Sequence, residues 1–301
     1  MADIREKVEQ AQTIGDDDLR AARVALIALW MKDARRIKKH YQVFYDTFLT
    51  FLNDETRFDS KDTRLLNSHL EQAQGKVARS FTKIVADVDV EFRQSVKKAI
   101  WRASRVQMQY LAKKGVKLPS ELDMQFLRDD VLLSLDREFP AGSGMTYSHR
   151  LRRIHDKHQA QLDTLLASTH TEGARERIVR DVETALLHTK PQHTPVVGGS
   201  LSKDMMRLVA SEETRLSNEV ELRVLTTSGL DLAHWRLSGS HPWYGGGEIC
   251  ELHAVRVNPS LARELRIRDA EDVALEGLYR LGNWPSYPHP WCRCFPEGVI
   301  I

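Results

Sequence analysis

The sequence predicts a mainly α-helical protein: a long N-terminal helical hairpin or bundle, followed by a small α+β C-terminal module with a Cys/His cluster. Three observations carry this prediction. Two apolar stripes with helical spacing precede residue 115, the composition changes beyond Gly229, and all three cysteines fall near the end of the chain.

At 301 residues the chain can form one large domain or two ordinary ones, and a 42% hydrophobic share supplies a core for each. We place a helical domain at 1–160 and a second domain at 161–301, irregular from about residue 229. The charge is near balance, with 44 basic and 42 acidic residues and a net +2. A dedicated nucleic-acid binder carries a marked basic excess, so that class is disfavoured. The most apolar run, Ala21 to Met31, is broken by Arg23 and too short to span a bilayer, and the polar N-terminus lacks a signal-peptide core. A soluble protein without a membrane partner, made in a reducing cytoplasm, is expected. An odd number of clustered cysteines fits thiols or a metal site better than a disulfide framework.

In chain order, residues 1–14 read as a short amphipathic helix stopped by Gly15. Asp16-Asp17-Asp18 then caps a long helix whose seam runs Ile27, Trp30, Ala34, Ile37, Tyr41, Phe44, Phe48, Phe51. Steps of three and four are the signature of helix-on-helix packing. Lys32, Arg35, Arg36, Lys38, Lys39 and His40 form a basic flank, either a solvated face or a surface for DNA or an acidic partner. After a polar break at 53–62, a second stripe runs from Leu66 to Tyr110 through Val77, Phe81, Val88 and Phe92, and stops at Gly115. Gly75 is expected to bend or divide this helix. Two long helices joined by a short loop imply an antiparallel hairpin.

Pro119-Ser120 with Asp123 reads as the capped start of a third helix that ends before Pro140. A charged helix follows from Tyr147 to about Ser168. Its His155 and His158 have metal-compatible spacing but no acidic companion motif, so they are assigned to the surface. A short helix over Thr171–His188 leads into a Pro- and Gly-rich linker at 189–199. From Ser200 to Thr227 a helix carries Met205, Leu208, Leu216 and Val220 on one face, and Glu212 falls on that face. A carboxylate there is costly unless paired. Arg215, Arg207 or a backbone amide are its candidate partners, and Glu212 is assigned a structural role.

Beyond Gly229 stand four of the six tryptophans and six of the ten prolines. Leu232 to Leu237 reads as a strand, Gly245 to Gly247 as a tight turn, and Asn258 to Leu265 as a short helix entered through proline. Such a module buries little as helix and calls for an internal fastener, which in small modules is often a metal. Cys250, His289, Cys292 and Cys294 are the candidate ligands of a structural zinc, with His253 and His241 in reserve. Trp235 and Trp291 are assigned structural roles. Buried reduced cysteines, a disulfide and a nucleophilic cysteine are the other readings. The nucleophile requires a base histidine held by a third group, and the sequence selects none. A zinc-dependent hydrolase or nucleic-acid-modifying enzyme is the alternative function. It requires an open metal position and a base such as Glu248, Glu251 or His253. The deaminase order of His-x-Glu followed by Pro-Cys-x-x-Cys is absent.

Trp235, His241-Pro242, Glu248-Ile249-Cys250 and the closing His289-Pro290-Trp291-Cys292-Arg293-Cys294 stand in an order that resembles the phage Mu F-like (SPP1 minor-head-protein-like) head morphogenesis family. A degraded helix landmark at Val209-Ala210-Ser211-Glu212 and a glycine-led helix from Gly173 to Leu187 support it. The resemblance covers roughly 160–296, and the closing motif is its specific part. Two departures stand out: Ala210 where the family has arginine, and Cys250-x-x-His253 where many members have Cys-x-x-Cys. The resemblance implies a non-catalytic minor head protein of a tailed phage or prophage, made in the host cytoplasm and located in the virion head. It implies association with the portal protein and capsid-interior proteins, with a part in head morphogenesis, DNA packaging and ejection. The N-terminal seams then suit self-association or packing on a portal. The basic flanks suit non-specific contact with packaged DNA, whose phosphates attract Lys and Arg without reading sequence.

Overall fold

The computed structural model describes residues 17–52, 63–139, 143–167, 180–183, 201–236, 278–281 and 295–298. Its helices are α1 (Asp17–Leu52), α2 (Thr63–Lys113), α3 (Glu121–Leu133) with a 3-10 turn at Ser134–Asp136, α4 (Tyr147–Ala167) and α5 (Leu201–Thr227). Its strands are β1 (Leu232–Arg236), β2 (Leu278–Arg280) and β3 (Phe295–Gly298). The protein is therefore mainly helical with a small β region. Among the described residues no helix is long and apolar enough to cross a membrane. The chain divides into two compact units, each gathered from separated stretches. One comprises Met1–Met31, Ser95–Leu135 and Ala210–Ile301; the other comprises Lys32–Gln94 and Asp136–Val209.

In the Lys32–Gln94 and Asp136–Val209 unit, Ile37, Tyr41, Phe44 and Phe48 of α1 are buried, as are Val77, Phe81, Val88 and Phe92 of α2. Each such side chain contributes about 1.5–3 kcal/mol by leaving water. Phe44 meets Phe81 edge-on at 5.2 Å, and His40 bonds Glu91 at 2.5 Å. Rising numbers on α1 thus meet falling numbers on α2, the antiparallel pairing expected of a hairpin. α4 packs against the same faces: Tyr147 stacks on Phe92 at 4.3 Å, and His155 meets Phe81 at 5.6 Å. Arg93 grips both oxygens of Asp136, at 2.8 and 3.1 Å, which tethers the chain just before α4. The expected division at Gly75 does not occur; α2 is one helix from Thr63 to Lys113.

In the other unit the helix ends carry their own stop signals. Gly115 adopts φ 71°, and the Val116 amide donates to the Leu111 carbonyl at 3.0 Å, closing α2 with a left-handed cap. Gly229 (φ 83°) closes α5 the same way, through Leu230 to Leu225 at 3.1 Å, and the chain then enters β1. At the start of α3 the Ser120 hydroxyl accepts from the Asp123 amide, and the Asp123 carboxylate accepts from the Ser120 amide. This reciprocal cap satisfies two otherwise orphaned donors.

The expected strand at Leu232 is the centre of an antiparallel sheet of order β2-β1-β3. Ala233 and Tyr279 from the sheet join Leu111, Met124, Val224 and Leu225 in one apolar core. Pro296 stands on the edge strand β3, opposite Trp235, a position where a missing amide donor is tolerated. Beside it, Gly298 leaves no room for a side chain. A Cβ there would lie 2.5 Å from Leu225 Cδ2 and 2.9 Å from Leu230 Cδ1, and Leu225 is itself enclosed in the core. Gly298→Ala should therefore destabilise the protein by about 1–3 kcal/mol, as overpacking does. Urea unfolding of the two proteins checks this, and an unchanged midpoint would refute the close approach.

Candidate functional site

The residues expected to form the metal site, Cys250, His289, Cys292 and Cys294, with His253 and His241 in reserve, lie outside the described residues, as does Trp291. So do the helix at 1–14, the turn at 245–247, the helix at 258–265 and, apart from 180–183, the helix at 171–188. Trp235 lies on the central strand β1. Its neighbour Arg236 is in register with Phe295, the residue that directly follows Cys294. The chain leaving the Cys-Arg-Cys run is thus hydrogen-bonded into the sheet at once. Among the described residues no group of three or more His, Cys, Asp or Glu side chains is placed to hold a metal ion.

The most unusual chemistry among the described residues lies on α5. From Ala210 to Glu221 every residue except the half-buried Glu219 is buried, yet the stretch contains Ser211, Glu212, Glu213, Thr214, Arg215, Ser217, Asn218 and Glu221. Ionised groups survive such burial when they are paired and hydrogen-bonded. The Arg215 guanidinium donates to Glu212 Oε2 at 2.9 and 3.0 Å, and also to the Ser134 carbonyl at 3.3 Å. The Ser95 hydroxyl on α2 donates to Glu213 at 2.5 Å, and the Ser134 hydroxyl donates to Glu219 at 2.8 Å. Arg223 bridges Glu219, at 2.9 Å, and Asp130 of α3. Its charge is reinforced: burial pulls its pKa down, but the bonds to Asp130 and Glu219 outweigh that and raise it.

Glu212 is thus fully enclosed and bound to a guanidinium one turn away on the same helix. Sequence reasoning singled out Glu212 but passed over Glu213 and Glu221, which are equally enclosed. Small hydroxyl residues interleaved with acids, Ser211, Thr214 and Ser217, are the signal that this helix faces protein all round.

A second cluster corrects the surface assignment of His155 and His158. Both are buried, at 2% and 1% exposure. His155 Nδ1 lies 2.8 Å from the Leu151 carbonyl, which requires a proton on that nitrogen, so Nε2 accepts from the Tyr41 hydroxyl at 3.1 Å. This neutral tautomer satisfies both nitrogens. Burial holds the His155 pKa below its ordinary value, with His158 adding to the effect against the pull of the Leu151 bond. Burial also pushes the Tyr41 hydroxyl well up. His158 bonds Asp204 at 3.1 Å and Lys157 bonds it at 3.0 Å. Burial pushes the Asp204 carboxyl up, but those two bonds prevail and hold it below its ordinary value. A helix that reads as charged and solvated therefore turns two imidazoles inward.

Comparison with protein-family models, curated proteins and solved structures returned no match to the chain.

Two outcomes follow from this geometry. Glu212→Gln or Arg215→Met alone should destabilise the protein by up to about 3–5 kcal/mol, because each removes one side of a buried ion pair. The double variant should cost clearly less than the sum of the two. A urea double-mutant cycle measures this, and simple additivity would rule out the coupling. For His155, the unfolded chain binds the extra proton first because the folded pKa is depressed. Its contribution is complete above the unfolded imidazole's titration and declines as pH falls through and below about 6.5. Melting temperature should drop from pH 7 to pH 5, and less steeply in His155→Asn. Equal slopes in the two proteins would show that another group governs the acid response.

Proposed function

We propose that this chain is a non-enzymatic minor head protein of a tailed phage or prophage, held inside the capsid at the portal and acting in head morphogenesis. The observation that carries the proposal is the order of the C-terminal landmarks: Trp235, His241-Pro242, Glu248-x-Cys250, then His289-Pro290-x-Cys292-Arg293-Cys294. Two features support it. The long helices α1 and α2 offer extended surfaces for packing on a portal or on other copies. The strand that continues the closing motif pairs with the strand that bears Trp235, as a module closed by its own chain end requires.

Within this reading the cysteines tie the module together. Three thiolates and an imidazole are a donor set that zinc accepts in tetrahedral geometry. Cys250, His289, Cys292 and Cys294 would hold it, with His253 as the remaining imidazole nearby in sequence. Zinc bound in this way supplies folding free energy and no reaction. The portal and capsid-interior proteins are the partners. On the basic flank of α1, Lys32, Arg35 and Lys38 lie beside packaged DNA and touch its phosphates without reading sequence.

The test is made on intact particles. Mass spectrometry of purified heads should find this chain at low copy number, cross-linked to portal protein. One zinc per chain should accompany the purified protein and be lost in the Cys292→Ser, Cys294→Ser variant together with solubility. Heads that lack the chain while it stays free in the lysate would overturn the assignment.

A further inference from the structure

Three of the large hydrophobic side chains exposed among the described residues sit on one short helix. Leu122, Phe126 and Leu133 of α3 are 62%, 66% and 62% exposed. Their spacing of four and seven residues puts them on one stripe, opposite the face that buries Met124 and Val131. Asp129 stands on this stripe, between Phe126 and Leu133, while Glu121 and Asp123 lie on its two sides at the helix start; all three are exposed, and Glu121 accepts from Arg128 at 3.1 Å. α3 thus presents a ridge about 16 Å long, apolar at Leu122, Phe126 and Leu133 and acidic at Asp129.

The other compact unit carries a groove of the opposite character. Between α1 and α2 lies a cavity of ≈ 610 Å³ that runs from Arg36 to Thr47 on one helix and from Ser80 to Glu91 on the other. Twelve residues of helix on each wall, eleven steps of rise, give it the same length of about 16 Å. Its floor is apolar: Phe44, Ile84 and Val43, of which Val43 is 65% exposed. Its walls bear Arg36, Lys39 and Lys83, while the acid Glu91 is taken up by His40 and leaves Asp87 as the exposed carboxylate.

We propose that this groove receives the α3 ridge of a second copy of the chain. The arrangement is helix-in-groove recognition, in which anchors spaced by turns of one helix fill an apolar slot and charges at its edges set the register. Matching length, apolar content and opposite charge favour this occupant. A phosphate backbone would use the basic walls but leave the aliphatic floor in water, and Phe44 is too enclosed for a base to stack on it. Ridge and groove are different surfaces, so the contact is heterologous and either closes into a ring, of which a reciprocal pair is the smallest, or continues as an open chain of copies. The proposal does not depend on the head-protein reading.

Sedimentation velocity of the full chain over a concentration series tests it. The wild type should associate as its concentration rises. Phe126→Glu should weaken association at least about tenfold, as loss of a central anchor does, and Lys39→Glu/Lys83→Glu should do the same from the other side. All these positions are exposed, and far-UV circular dichroism checks that each variant keeps its helices. Leu122→Gln gives a second, milder ridge lesion.

The decisive sample is an equimolar mixture of the two charge variants. Each retains the surface the other has lost, so the mixture should form species of two chains and nothing larger. A monomeric wild type, association that survives Phe126→Glu, or a mixture that stays monomeric would overturn the proposal. So would a Lys39→Glu/Lys83→Glu protein that still associates but no longer binds a duplex oligonucleotide, since the groove would then belong to phosphate.

Discussion

Burying a charged helix is the constraint on which one whole unit of this protein depends. The middle of α5 carries carboxylates, a guanidinium and several hydroxyls on a stretch that faces protein almost all round. Water cannot serve these groups, so other elements must, at fixed positions. Ser95 on α2 serves Glu213, Ser134 in the 3-10 turn serves Glu219 and Arg215, and Asp130 on α3 serves Arg223. An apolar helix could slide or rotate among such neighbours at modest cost. Here a small displacement breaks several charge-assisted bonds at once, so the network specifies one arrangement. Packing against Leu111, Met124 and Ala233 then adds binding strength without having to choose the register.

The Tyr41, His155, His158 and Asp204 cluster applies the same logic more sparingly. One aromatic hydroxyl and one backbone carbonyl complete the coordination of a neutral imidazole, and a carboxylate holds its neighbour. The cluster links α1, α4 and the start of α5 through groups whose hydrogen-bonding capacity depends on protonation, whereas the flanking phenylalanines are indifferent to it. A proton added at His155 Nε2 would remove the acceptor through which α4 is joined to Tyr41 of α1.

The tail is stabilised by contacts far apart in sequence. β1 takes one partner from residues 278–280 and the other from 295–298, both antiparallel. A three-stranded sheet of this size buries little, and its seating depends on details such as the absent side chain at Gly298, which lets β3 lie directly on Leu225. The closing Cys-Arg-Cys run feeds straight into that strand, so a fastener there and the strand pairing would act on the same piece of chain.

By itself the sequence determined whatever depends on neighbours along the chain. The stripe through Ile37, Tyr41, Phe44 and Phe48, the reciprocal cap at Ser120 and Asp123, the glycine stop at 115, and the strand at Leu232 are local properties and were all legible. The Arg215 partner of Glu212 was within reach of the same reasoning, because a helix places those residues one turn apart. Tertiary structure alone decided which faces of polar helices turn inward. The middle of α5 is enclosed on nearly every side, so the face read through Met205, Leu208, Leu216 and Val220 drew attention to Glu212 and left Glu213 and Glu221 hidden. α4 is so charged that His155 and His158 read as solvent-facing until Tyr41 and Asp204 meet them. It also chose β2 and β3 as the partners of β1, since strand pairing across more than forty residues leaves no periodic trace. Periodicity records contact with a core on one side, and it is silent where protein lies on every side or where the partner is remote.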